Sequence, residues 1–128
     1  MTKIEIISET VEFYSADTSR RSFVMKGSTT QCVYNAGDDR HCAVGRCMTE
    51  ELKSQGLDLE DNSTALEELV ENYSEVDELL EQKYHGHSLK FWRDLQNFHD
   101  QNDNWDKKGV SIYGKMSLIR LKEEYATS

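Results

Sequence analysis

Proline is missing from all 128 residues, where ordinary usage of about 5 % would supply about six. Chains with few irregular connections lose proline at least cost, so the absence points to a helix-rich fold and excludes a collagen-like chain. Cysteine is scarce and odd in number, at Cys32, Cys42 and Cys47. A disulfide framework would leave one thiol over, which excludes a secreted disulfide scaffold and predicts reduced thiols in a cytoplasmic protein. No apolar run approaches the roughly 20 residues that cross a bilayer. The opening stretch from Met1 to Tyr14 mixes charges throughout and holds no signal-peptide stretch. No membrane partner is expected. Basic residues are the minority, 15 against 24 acids, for a net charge of −9. Such a surface repels phosphate backbones, so direct nucleic-acid binding is not expected either.

What is present fits one folded domain spanning residues 1–128. Twelve aromatic side chains and a length typical of single domains allow one core without staples. Charge is unevenly placed. From Glu50 to Gln82 there are twelve acids and one base, Lys53, a net of −11 that leaves +2 for everything else. The expected fold is α+β: a mostly helical single domain of about five helices, with one small antiparallel β-hairpin near residues 31–45.

Local signals place the elements. Thr2 and Glu5 form a T-x-x-E capping box, followed by Ile4, Ile7, Val11 and Tyr14 at helical spacing, with Asp17 near the end. Gly27 to Thr30 reads as a loop. Gln31 to Asn35 alternates and carries β-formers, Ala36-Gly37-Asp38-Asp39 has turn chemistry, and Arg40 to Val44 is expected to return as the second strand, ending at Gly45. Thr49 starts a short helix that Gly56 stops, Thr64 and Glu67 form another capping box, and Ser74 with Asp77 marks a further start. Ser88 caps the strongest helix, carrying Phe91, Leu95 and Phe98. A polar loop from Asp100 to Asp106 holds Trp105. Ser111 caps the last helix, whose apolar positions form two sets: Ile112, Met116 and Ile119, and Leu118, Leu121 and Tyr125.

Four groups of residues carry candidate chemistry. Cys32, His41, Cys42 and Cys47 lie within sixteen positions and offer a zinc donor set, which gives a zinc-stabilised small module as one reading. Their spacing lacks the close pairs of zinc fingers, and adjacent strand residues such as His41 and Cys42 point to opposite faces. Packed thiols, with Cys32 facing Cys42 across the hairpin, are therefore expected, with no metal and no cofactor. His85-Gly86-His87 reads as a wet loop. A catalytic cysteine paired with His41 or His99 lacks anything to fix its geometry. No phosphate-cradling glycine loop, G-x-S-x-G or H-E-x-x-H is present, so the sequence predicts no enzyme and no catalytic residue. His99 is expected to act structurally, bonding Asp100 or Trp105 near a helix C-terminus that favours an imidazolium.

The two charged groups are more informative. Arg20, Arg21, Arg40, His41 and Arg46 concentrate positive charge around the hairpin and can grip a phosphate or carboxylate bidentately. Their plainer role is to pair with the acidic middle segment. That segment, with Glu67, Glu68, Glu71, Glu75 and Glu78, is either a solvated face or a surface that enters a basic groove on a partner.

Tyr14 with Ser19-Arg20-Arg21, then Cys32-Val33-Tyr34-Asn35 and His41-Cys42-Ala43-Val44-Gly45-Arg46, then Leu95 to Asp100 with Trp105, resembles a family of small bacteriophage and prophage proteins. That family carries a C-A-V-G-like signature after a turn. The resemblance implies a mobile-element origin and action in the host cell cytoplasm, and brings no activity with it. The expected function is therefore a non-enzymatic phage accessory protein that binds a host protein through its acidic segment, of a host-modulating or anti-defence type. The alternative is a protein that sequesters a small anion or nucleotide through the arginine and histidine cluster. A homo-oligomer is compatible with either.

Overall fold

The computed structural model describes residues 1–21, 23–26, 29–37, 40–55, 66–71 and 75–126. Helices predominate, in an α+β arrangement. Helix α1 runs Lys3–Ala16, and its start is the expected capping box: Thr2 accepts from the Glu5 backbone while Glu5 accepts from that of Thr2. Asp17 ends it and, through its carboxylate, caps a 3-10 turn over Thr18–Arg20. Two antiparallel pairs follow. Strands β1 (Phe23–Lys26) and β2 (Thr29–Cys32) pair with Phe23 opposite Cys32. Strands β3 (Asn35–Gly37) and β4 (Arg40–His41) form the hairpin inside the expected window, with Asn35 opposite His41.

The hairpin is shorter than its sequence pattern implied. Gln31 and Cys32 belong to β2, with Thr29 and Thr30, so Cys32 stands opposite Phe23 in the β1–β2 register and is not part of the β3–β4 hairpin. After His41 the chain turns into helix α2 (Ala43–Cys47) instead of continuing as a strand. Cys42 causes the turn: it is extended, and its Sγ accepts from the Gly45 backbone at 3.3 Å, filling the role of an N-cap.

Helix α3 spans Glu50–Gln55 and α4 Leu66–Glu71. The Thr64 start, the Gly56 stop and the Ser74 start lie outside the described residues. Val76–Leu79 forms a 3-10 turn, as does Gln82–Tyr84. The acidic chain is stitched back onto the α2–α3 junction by backbone bonds, Thr49 N to Leu79 O and Glu81 N to Cys47 O, each 3.0 Å. Helix α5 (Leu89–Asp100) is capped by Ser88 and buries Phe91, Trp92, Leu95, Phe98 and His99. A 3-10 turn, Asn102–Asn104, leads to a third small pair, β5 (Trp105–Asp106) with β6 (Gly109–Val110). Helix α6 (Ile112–Tyr125) is capped by Ser111.

One apolar cluster joins these pieces, with Ile6, Ile7, Tyr14, Val44, Cys47, Met48, Leu79, Trp92 and Leu95 fully buried. Helix α1 lies against β6 and α6, and α2 against α5. Among the described residues no helix is long and apolar enough to cross a membrane.

Candidate functional site

The site is built outward from one face of α1. Glu9, Thr10, Phe13 and Tyr14 fall on neighbouring positions of successive turns, and between them they meet α2, Tyr84, the turn after α1 and β4. Thr10 is fully buried and satisfies its hydroxyl on Ile6 O at 2.8 Å. Its oxygen accepts from Nη2 of Arg46 at 3.0 Å, while Nη1 of Arg46 pairs with Glu9 at 2.5 Å. Tyr84 completes the group by donating its hydroxyl to the same Glu9 oxygen, with Arg46 3.3 Å away. Burial acts to raise the Glu9 carboxyl, but the bonds from Tyr84 and Arg46 outweigh it and hold the group below its ordinary range. Burial, helped by the Glu9 bond, pushes the Tyr84 phenol up.

Arg46 is thereby fixed on α2 with 9 % of its side chain exposed, and its Nε has no hydrogen-bond partner among the described residues. Arg20 approaches from the turn after α1, donating to Phe13 O at 3.1 Å and placing its guanidinium 4.7 Å from the centre of the Phe13 ring. Arg46 stands 5.6 Å from the same ring. Phe13 thus steadies two guanidinium groups through its π face. From β4, His41 is anchored twice. Tyr14 donates its hydroxyl to His41 O, and the side-chain amide of the buried Asn35 lies 2.5 Å from Nδ1. Lys53, from α3, is one-fifth exposed and reaches Glu50 and Glu81 only at 3.7 Å.

These five residues enclose a cavity of about 320 Å³, lined among the described residues by Phe13, Arg20, His41, Arg46 and Lys53. They come from α1, the following turn, β4, α2 and α3. Three permanent cations and an imidazole therefore face one space, with no carboxylate among the described lining residues, in a chain whose net charge is −9.

Three of the five residues in the basic constellation, Arg20, His41 and Arg46, are brought together here. Arg21 is not. It donates to His99 O at 2.9 Å and Asn102 Oδ1 at 3.0 Å and lies over Trp105, tying the first turn to the end of α5. Arg40 sits opposite Gly37 in the hairpin ladder and is not a lining residue. Lys53 and Phe13 were not signalled by the sequence pattern. For Arg46, the ion pair among the described residues is with Glu9 of α1, outside the acidic middle segment that the plainer role invoked.

The other candidates do not converge. Cys42 and Cys47 are free, buried thiols, and no three potential metal ligands cluster among the described residues. Burial pushes the Cys47 thiol up to about 11, so it is protonated at neutral pH. His85 Nε2 meets Leu80 O and His87 Nε2 meets Met1 O, each at 2.8 Å, so the two rings serve different segments. His99 is fully buried, with Nδ1 at 2.9 Å from Asp100 Oδ1 and its carbonyl accepting from Trp105 Nε1. Burial depresses its pKa, which favours the neutral ring over the imidazolium expected at a helix C-terminus. Glu71, Glu75 and Glu78 are exposed and run from the end of α4 into a 3-10 turn, so they do not share one helix face. Glu67 and Glu68 stand on α4, with side chains outside the described part.

Compared with protein-family models, with curated proteins and with solved structures, the chain finds no match in any of the three.

Proposed function

We propose that this protein binds a small phosphate- or carboxylate-bearing molecule in the cavity beneath the hairpin. One observation carries the proposal: Arg20, Arg46, Lys53 and His41 converge on a single space of about 320 Å³ from four separate elements, while the chain as a whole is acidic. Like charges held together oppose folding unless a counter-charge joins them. Glu9 answers Arg46, and Glu50 and Glu81 lie at the far edge of ion-pair reach from Lys53. An anion completes the set. The volume lies at the lower end of the range for ligand cavities, about 300–1,000 Å³, which fits a small metabolite. Recognition runs through charge-assisted hydrogen bonds from guanidinium N–H groups, the strongest that neutral-pH side chains offer. With both described thiols buried and Cys42 engaged as a cap, the chemistry supports holding a ligand, not turning it over.

Thermal melting with orthophosphate, pyrophosphate, adenosine monophosphate and citrate, each against chloride at matched ionic strength, tests this. Stabilisation is expected to grow with ligand concentration as RT ln(1 + [L]/Kd), most steeply for the multiply charged anions. An Arg20→Gln, Lys53→Gln double variant should stay folded by circular dichroism without ligand and lose the shift. If no anion in the panel moves the midpoint beyond its chloride control, the proposal fails.

A further inference from the structure

Helix α6 is apolar on two opposite sides. Gly114, Leu121 and Tyr125 are buried inward, with Leu118 packed beside them. On the other side Ile112 is 84 % exposed, Tyr113 61 %, and Met116 and Ile119 57 % each. Ile112, Met116 and Ile119 follow a spacing of four then three, the repeat with which one helix receives the side chains of another. Isolated exposed apolar residues need no explanation, but a contiguous stripe of this kind marks an interaction surface.

The charge along its edges identifies what it fits. At 100° per residue, Lys115 and Lys122 flank the stripe on one side and Arg120 on the other. Among the described residues none of these three forms an ion pair, although the chain has nine more acids than bases. Glu123 closes the stripe at its C-terminal end. A second copy of the chain is a poor occupant. Paired antiparallel, the stripe sets Lys115 and Lys122 against each other, and paired parallel it sets Lys115 against Arg120, so like charges meet either way. An anionic bilayer is opposed by the net charge of −9.

We propose that the outer face of α6 docks an amphipathic helix of another protein whose apolar stripe is flanked by aspartate and glutamate. The apolar side chains pack knob into hole, and the partner's carboxylates answer Lys115, Arg120 and Lys122. Arg120 also lines, with Ser117 and Glu124, with Asn97 of α5 and with Gln101 just beyond it, a depression of about 270 Å³, which gives the rim of the interface polar groups on the α5 side. This surface is separate from the cationic cavity and does not depend on it.

The test uses the full chain and two fluorescent synthetic peptides of leucine heptads, one with glutamate and one with lysine at the flanking positions, read by anisotropy. The glutamate peptide is expected to bind and the lysine peptide not to. Met116→Glu should weaken the glutamate peptide at least tenfold and Arg120→Glu several-fold. Both positions are exposed, and circular dichroism of each variant should match the parent. Equal binding of both peptides, no binding of the glutamate peptide, or binding untouched by Met116→Glu overturns the proposal. So does a concentration-dependent dimer abolished by Met116→Glu in sedimentation, which assigns the face to a second copy, or retention of the chain on phosphatidylserine vesicles, which assigns it to a membrane.

Discussion

Replacing Gly45 by alanine separates two opposed expectations. Within a helix, alanine is favoured over glycine by about 1 kcal/mol, so local propensity alone makes Gly45→Ala stabilising. The packing reverses the sign. A Cβ at residue 45 would stand 1.9 Å from the Tyr34 carbonyl oxygen and 2.6 Å from its carbon, both backbone atoms that no rotamer change can move. Restoring an ordinary contact of 3.4 Å means parting α2 from the 33–35 segment by about 1.5 Å. That displacement stretches the bond from Cys42 N to Tyr34 O, now 3.0 Å. Overpacking costs about 1–3 kcal/mol and the disrupted bond about 1 kcal/mol. Set against the propensity gain, the net loss is about 1–3 kcal/mol. Urea unfolding followed by circular dichroism, with an unchanged m-value, reads it directly. Gly86→Ala is the control: it meets nothing within 4 Å, and its φ of +93° costs only the left-handed penalty of about 1–2 kcal/mol. Because Arg46 is the next residue, Gly45→Ala should also weaken anion binding, which Gly86→Ala should not. A Gly45→Ala protein as stable as the parent or more so would refute the close approach of α2 to Tyr34.

Three further outcomes follow from the buried groups. Glu9→Leu strands the nearly buried Arg46 charge, whereas Arg46→Leu strands a carboxylate one-third exposed to water; the first should cost about 3 kcal/mol and the second less, and the reverse order in urea unfolding contradicts the geometry. His99 is held neutral by burial, so below its ordinary pKa of 6.5 the unfolded chain takes up a proton that the folded chain refuses. Stability should therefore be full above pH 6.5 and fall beneath it, by up to about 1.4 kcal/mol per pH unit, and His99→Phe should flatten that fall in matched titrations. Cys47, fully buried with its thiol pushed up to about 11, should be alkylated by iodoacetamide only as fast as the chain unfolds; rapid labelling of Cys47 in native buffer, located by peptide mapping, would contradict its burial.

What the sequence revealed was local. Thr2 with Glu5, Ser88 and Ser111 each announce a helix start because a cap is a bond between residues three apart, and all three are present. Helix-rich α+β character and a hairpin between residues 31 and 45 were legible for the same reason. The hairpin's extent was not. Ala43 and Val44 suit a strand as well as a helix, and Cys42 seldom signals a cap, so nothing nearby showed that the chain would turn at residue 42. Within the site, Arg20, His41 and Arg46 were visible as clustered charge. Arg21 was grouped with them because sequence adjacency says nothing of direction. The chain is extended at Arg21, which sends its side chain to α5 while Arg20 returns to Phe13. Lys53 was hidden inside a segment of net −11, because charge counted by segment conceals which tertiary face a residue joins. Phe13 lies off the Ile4, Ile7, Val11 and Tyr14 stripe, and the bond from Tyr84 to Glu9 spans 75 residues. Two apolar sets on α6 were legible, but which one faces inward depends on where α5 and β6 lie.

The most direct measurement on the central claim is isothermal titration of pyrophosphate into the purified chain, repeated at several salt concentrations and on the Arg20→Gln, Lys53→Gln variant. A cationic cavity predicts one saturable site per chain, an affinity that falls as salt rises, and loss of the heat in the variant. No saturable heat in the parent chain, or an identical isotherm from the variant, would contradict it.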